Sequence, residues 1–227
     1  MSKSPRSAAL GVVLSLVLAP ALSAGASASD HRTVDQSLLQ PALVSRFAPW
    51  DCTWRNNGPV CVGEFHETDP WELTDLPCAV PVYGARTEHR YQRLFFDEQY
   101  RNYDRQNRTR DLDELSTSPG GPATGSIATN VRYSYDFDVP GDLNTATVTT
   151  TGLIWKLGPN RGPAIFQVVG TLVESWPFNE PGTFTGHVTI HGKTTLYDDE
   201  PLDTFLDDET FVNWMCEAST GELAVFE

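Results

Sequence analysis

From Ile127 to Val139 the chain alternates with a period of two. Ile127, Val131, Tyr133, Tyr135, Phe137 and Val139 fall on odd positions, and Ala128, Asn130, Arg132, Ser134, Asp136 and Asp138 lie between them. Successive side chains of a strand point to opposite faces, so this run coats a core with one face and meets water with the other. Antiparallel sheets carry such a pattern, and a helix of 3.6-residue period scatters it.

The flanking segments extend the pattern. Pro140-Gly141-Asp142 turns the chain into Thr145–Leu157, where the apolar side changes parity from Ala146 and Val148 to Leu153, Trp155 and Leu157. Gly152 sits at the change, where a β-bulge is expected. Residues 158–163 form a Pro/Gly turn, and Ala164–Trp176 is apolar on both faces, as in a central strand. Thr183–Tyr197 reads as the last long strand, with Phe184, Val188, Ile190 and Leu196 facing in, and Phe211–Cys216 as a short closing strand. Arg86–Phe96 fits a strand and Val60–Phe65 a shorter one. Residues 99–115 are polar, with Tyr100 and Tyr103 spaced as on a helix turn or a twisted edge. Pro119-Gly120-Gly121-Pro122 is a loop. The expected fold is all-β, an antiparallel up-and-down meander. The long strands, the bulge and the two-faced apolarity favour a β-barrel over a β-sandwich.

The first 28 residues are read as a signal peptide. Lys3 and Arg6 precede an apolar run, Ala8 to Ala19, that Pro20 ends, and the small-residue motifs predict cleavage after Ala26 or Ala28. The run is too short for a spanning helix, which needs about 20 residues. Residues 29–49 form a polar lead-in, loop or one short helix, and 50–227 a single β-rich domain. Hydrophobic residues at 40% and aromatics at 11% suffice for a core.

Export leads to an oxidising space, where the four cysteines, Cys52, Cys61, Cys78 and Cys216, are expected as disulfides. Cys52–Cys61 and Cys78–Cys216 is the favoured pairing. A turn centred on Asn56-Asn57 opposes Cys52 to Cys61, whereas one centred on Asn57-Gly58 shifts the register. No Cys-x-x-Cys or paired Cys/His spacing marks a zinc site.

With 30 Asp+Glu against 16 Lys+Arg the formal charge is −14. That balance repels nucleic acid and anionic lipid and suits cationic partners. Arg86, Arg90, Arg93, Arg101 and Arg105, followed by Arg108 and Arg110, nevertheless cluster among tyrosines and phenylalanines. They form a candidate anion-binding patch, because guanidinium forks match carboxylates and phosphates. The competing expectation pairs them with the acidic C-terminal segment, since no Lys or Arg follows Lys193.

Other constellations are weaker. His187 and His191 would share a face of a strand but lie about 13 Å apart, too far to chelate one ion. Asp198-Asp199-Glu200 and Asp207-Asp208-Glu209 offer oxygen ligands to calcium but lack a calcium-loop pattern, and read as a solvated rim. Asn107-Arg108-Thr109 is a glycosylation sequon, relevant in a eukaryotic host. Trp50, Trp54 and Trp71 are candidate aromatic ligand contacts, for stacking on a sugar or for plugging one end of the fold. No nucleophile elbow or phosphate loop is present, and no catalytic residue, metal ligand or cofactor is assigned.

The layout resembles that of small secreted β-rich proteins of actinobacteria. The likeness lies in the leader ending at Ala26-Ser27-Ala28, the early Cys and aromatic residues, and Thr/Val strands broken by Gly as at Thr149-Thr150-Thr151-Gly152. It implies no activity. The expected role is a secreted, non-enzymatic and monomeric binding protein for a small apolar molecule or another protein, without membrane insertion. The alternatives are a hydrolase or lyase acting on extracellular polymer, and a carbohydrate-binding module.

Overall fold

Among the described residues, ten strands pair into one antiparallel sheet. The computed structural model describes residues 32–178, 182–202 and 207–226, so the expected signal peptide lies outside the described residues. In chain order the strands are β1 (Asp51–Arg55), β2 (Gly58–Thr68), β3 (Glu72–Leu73), β4 (Tyr83–Phe96) and β5 (Asn102–Ser116). Then come β6 (Gly125–Phe137), β7 (Ala146–Pro159), β8 (Phe166–Ser175), β9 (Thr183–Ile190) and β10 (Lys193–Pro201). Each strand pairs with the next in sequence, except that β2 pairs β4 directly and β3 lies along the start of β4. The expected up-and-down meander is therefore the observed one. Pairing runs from β1 to β10 without joining the two edges among the described residues, so the sheet is open. No helix among the described residues is long and apolar enough to cross a membrane.

Residues 99–115, expected as a helix turn or a twisted edge, contain most of β5, a central strand paired along its length to β4 and β6. Its positions are polar on both faces, so hydrophobic periodicity is blind to it. Thr183–Tyr197, expected as one strand, is a hairpin. His191 and Gly192 both take positive φ, 44° and 80°, as a tight two-residue hairpin turn requires. Leu196 then falls on the outer edge strand and is 80% exposed rather than inward.

The expected closing strand at Phe211–Cys216 is instead part of a helix, α1 (Asp208–Thr220). Asp207 caps it by accepting the Thr210 N–H, acids in the first turn suit the positive end of the helix dipole, and Gly221 stops it in the left-handed region. Phe211, Trp214, Met215 and Ala218 recur at helical spacing and pack on the main core with Val131, Leu157, Phe166, Val168 and Phe184. The Asp207-Asp208-Glu209 cluster is thus a helix start.

Both disulfides pair as favoured, Cys52–Cys61 and Cys78–Cys216. Register opposes Cys52 to Cys61 across the Asn56-Asn57 turn. The second bond ties α1 to the segment before β4, beside a bridge between Cys78 and Ala224.

Along the face that carries α1, register links one row of side chains from strand to strand. At one end Leu94 and Cys61 pack with Leu39 and Phe96 under the lead-in. At the other lies the core beneath α1. Between them β4 and β5 contribute Arg86, Glu88, Arg90 and Gln92, and Asn107, Thr109, Asp111 and Asp113. The meander therefore has an apolar interior at both ends and a polar one in the middle.

Candidate ligand cavity

The polar and apolar stretches meet in a cavity of about 570 Å³. Ile127, Val131, Ile154, Trp155, Leu172 and Phe211 make its apolar wall, with Leu202 at the margin. Arg86, Asp111, Asp113, Tyr133, Thr150 and Glu174 make the polar one.

A bulge shapes the apolar wall. The pairing of β7 slips between Leu153 and Trp155, one step past Gly152, whose φ of +126° suits glycine. Before the slip Val148 and Thr150 face α1; after it Trp155 and Leu157 do. The Trp155 ring lies 6.4 Å from Phe211 of α1. The parity change is therefore real, though it falls just after Leu153, which stays on the other face.

The polar wall is an ion cluster with spare acceptors. Arg86 Nη2 lies 2.9 Å from Asp111 Oδ2 and 3.6 Å from Glu88 Oε1, and its Nε lies 3.7 Å from Asp113 Oδ1. Glu88 is 4% exposed and also pairs with Arg46, at 3.2 Å, and with Arg90. Burial works against the Arg86 charge, but Asp111, Glu88 and Asp113 outweigh it and raise the guanidinium above its ordinary value. Burial raises the Asp113 carboxyl, with Arg86 opposing. Burial alone raises Glu174. The Tyr133 phenol is raised chiefly by burial as well. Asp111 Oδ1 and Thr150 Oγ1 are buried without a hydrogen-bond partner, and Thr150 is only 3% exposed. Arg86 and Asp113 also border a second hollow of about 610 Å³, whose rim includes Asp69, Glu72 and Asp75.

The candidate arginine patch is split by the sheet. Arg86, Arg90 and Arg105 fall on the α1 face, Arg93 on the other, and Arg101 is held in a turn, 2.8 Å from Asp97. The partners of Arg86 and Arg90 are acids of β4 and β5, not of the C-terminal segment. Arg105 lies over the Tyr135 ring at 5.3 Å, and burial lowers its pKa. Trp50 packs on Phe47 and donates its indole N–H to Val44 O at 2.9 Å. Trp54 packs edge-on against Tyr100 under the Arg32 guanidinium. Both are half-buried at the lead-in end, and Trp71 is half-buried just before β3. His187 lies in β9, whereas His191 sits in the turn, 3.7 Å from Glu217. Asn107 of the sequon lies in the middle of β5.

Asp111, Asp113, Thr150 and Glu174 carry no sequence signal of their own. Only the register of β5 through β8 brings them to one wall. A comparison of the chain with protein-family models, with curated proteins and with solved structures finds no match.

Proposed function

We propose that the protein is an exported, non-enzymatic binder of a small amphipathic molecule, seated in the cavity between α1 and strands β5 to β8. One observation carries this reading: Asp111 and Thr150 line a roughly 570 Å³ cavity whose other wall is apolar, and each keeps a buried oxygen, Oδ1 and Oγ1, without a hydrogen-bond partner. An unmet buried polar atom costs about 1–3 kcal/mol, which a side-chain rotation that turns it toward a ligand recovers. The volume suits a compact organic molecule, as ligand pockets run to about 300–1,000 Å³. Arg86 is already engaged by Asp111, Glu88 and Asp113, so the remaining polar groups are mostly acceptors. They fit a hydrogen-bond-donating, preferably cationic end, in keeping with the acidic chain. Export is supported by the three-part leader and by two disulfides, which belong to oxidising compartments.

A matched pair of probes tests this reading. Titrated calorimetrically into the full chain, octylammonium is expected to bind one-to-one and octanoate to bind far more weakly. Thr150→Val and Asp113→Asn are expected to weaken the amine. Equal binding of the two probes, or binding of neither, would remove the assignment.

A second reading rests on the convergence of Asp111, Asp113 and Glu174. A carboxyl raised by burial beside one held by an arginine is the pairing that acid–base chemistry uses. It would act on the same small molecule, within the roughly 570 Å³ cavity. Conversion of a bound compound by the wild type and not by Asp113→Asn would favour turnover over storage.

A further inference from the structure

On the face turned away from α1, the pairing of β2 with β4 sets His66 directly opposite His89. The two imidazoles stack, with centroids 3.8 Å apart and planes inclined by 22°. Glu64 precedes His66 by two residues, so it shares that face. Its Oε1 lies 2.5 Å from His89 Nε2 and 3.4 Å from His66 Nε2. One donor atom from each of the three falls within 4.8 Å of the others.

The same face carries an arginine groove. Arg110 is the cross-strand neighbour of His89, and Arg108 that of Tyr91. On its other side Arg108 opposes Arg132 directly. With Glu64 and His89, these arginines line a groove of about 700 Å³. Like charges facing each other across a strand pair are unfavourable. Among the described residues no carboxylate forms an ion pair with Arg108, Arg110 or Arg132. The sheet thus holds a repulsive cationic cluster in an acidic chain, beside a convergent His/His/Glu set.

We infer that Glu64, His66 and His89 bind a divalent transition-metal ion, zinc fitting best, and that the neighbouring arginines hold an oxyanion against its open coordination position. Two imidazoles and a carboxylate are a donor set for zinc rather than for the all-oxygen ions calcium and magnesium. Bonds of about 2.0–2.2 Å place the donors of a tetrahedral ion roughly 3.3–3.6 Å apart. The present spacing, from 2.5 Å to at most 4.8 Å, brackets that figure. Three protein ligands leave the fourth position for an outside group. The guanidinium forks alongside select a phosphate-like or carboxylate-like anion.

The test uses the full chain without an affinity tag. Zinc chloride alone should bind one-to-one, and cobalt should show the visible bands of a tetrahedral site. His66→Ala and His89→Ala alter solvent-facing side chains. With unchanged circular dichroism, each should weaken zinc by about tenfold or more. Inorganic phosphate should bind more tightly to the zinc-loaded chain, and zinc more tightly in phosphate by the same factor. Arg108→Ala and Arg132→Ala should lower phosphate affinity and leave zinc binding in phosphate-free buffer intact. Failure to bind zinc at millimolar concentration, or binding unaltered in both histidine variants, would overturn the metal site. Phosphate affinity indifferent to zinc and to both arginine variants would overturn the oxyanion.

Discussion

Cys78 and Cys216 stand 138 positions apart in sequence, yet their Cα atoms lie 5.3 Å apart and their sulfurs are bonded. The bond fixes α1 across β6 and β7 and so closes the cavity on the Phe211 side. Cross-linking so long a loop stabilises a domain by about 2–5 kcal/mol, chiefly by restricting the unfolded chain. The Cys78→Ala/Cys216→Ala double variant is expected to lose a stability in that range in urea. Before global unfolding, the buried Trp214 should become accessible to an aqueous fluorescence quencher as α1 detaches. The Cys52–Cys61 bond closes a far shorter loop, so Cys52→Ala/Cys61→Ala should leave Trp214 protected.

Glu88 organises the polar middle of the interior. It is nearly inaccessible and answers Arg46 from the lead-in, Arg86 and Arg90. Removing one partner of a buried ion cluster leaves the others uncompensated, at about 3–5 kcal/mol for a fully buried pair. These arginines are 40–48% exposed, so solvent screens part of that cost. Glu88→Gln is expected to destabilise by about 2–3 kcal/mol in chemical denaturation. Glu67→Gln, which removes an exposed ion pair with Arg46, should change stability by less than about 1 kcal/mol.

The same interior explains what the sequence made legible. Ile127–Phe137 and Ala146–Leu157 announce themselves, because one apolar face alternates with one wet face and Gly152 marks the slip between parities. β5 is silent, because Arg105, Asn107, Thr109, Asp111 and Asp113 are polar although they face inward. A polar interior cannot be told from a polar surface by periodicity. α1 was legible in principle: Phe211, Trp214, Met215 and Ala218 are spaced for a helix, and Asp207 and Gly221 bracket them. Reading only Phe211–Cys216 hides both caps. The Glu64/His66/His89 set needed the register of β2 on β4, which turns two distant histidines into neighbours.

Glu174 gives the interior a pH signature. Burial raises its carboxyl, and no other cause contributes. Its folded pKa lies above the unfolded one, so the folded state binds the proton more tightly. The group therefore costs nothing when protonated in both states, and its penalty grows as pH rises through the unfolded value to the folded one. Glu174→Gln is expected to raise the melting temperature at neutral pH. The difference should shrink as pH falls and vanish below the ordinary glutamate value of 4.5. Melting curves across that range check the sign, and a constant offset at every pH would point to packing rather than charge.

Thr150 separates stability from binding. Its hydroxyl is buried without a partner, on a residue that lines the cavity. Valine keeps nearly the same shape and removes the unmet polar atom. A hydroxyl of this kind is a cost in the unliganded fold, about 1–3 kcal/mol. Thr150→Val is therefore expected to stabilise the free protein by about 1 kcal/mol in denaturant titration. It should also weaken the octylammonium probe, because the ligand loses a hydrogen-bond partner that the wild type keeps in readiness. The two effects have opposite signs. A variant that is both less stable and unaltered in binding would mean that the hydroxyl is a packing feature and that the cavity wall was not built to meet a polar guest.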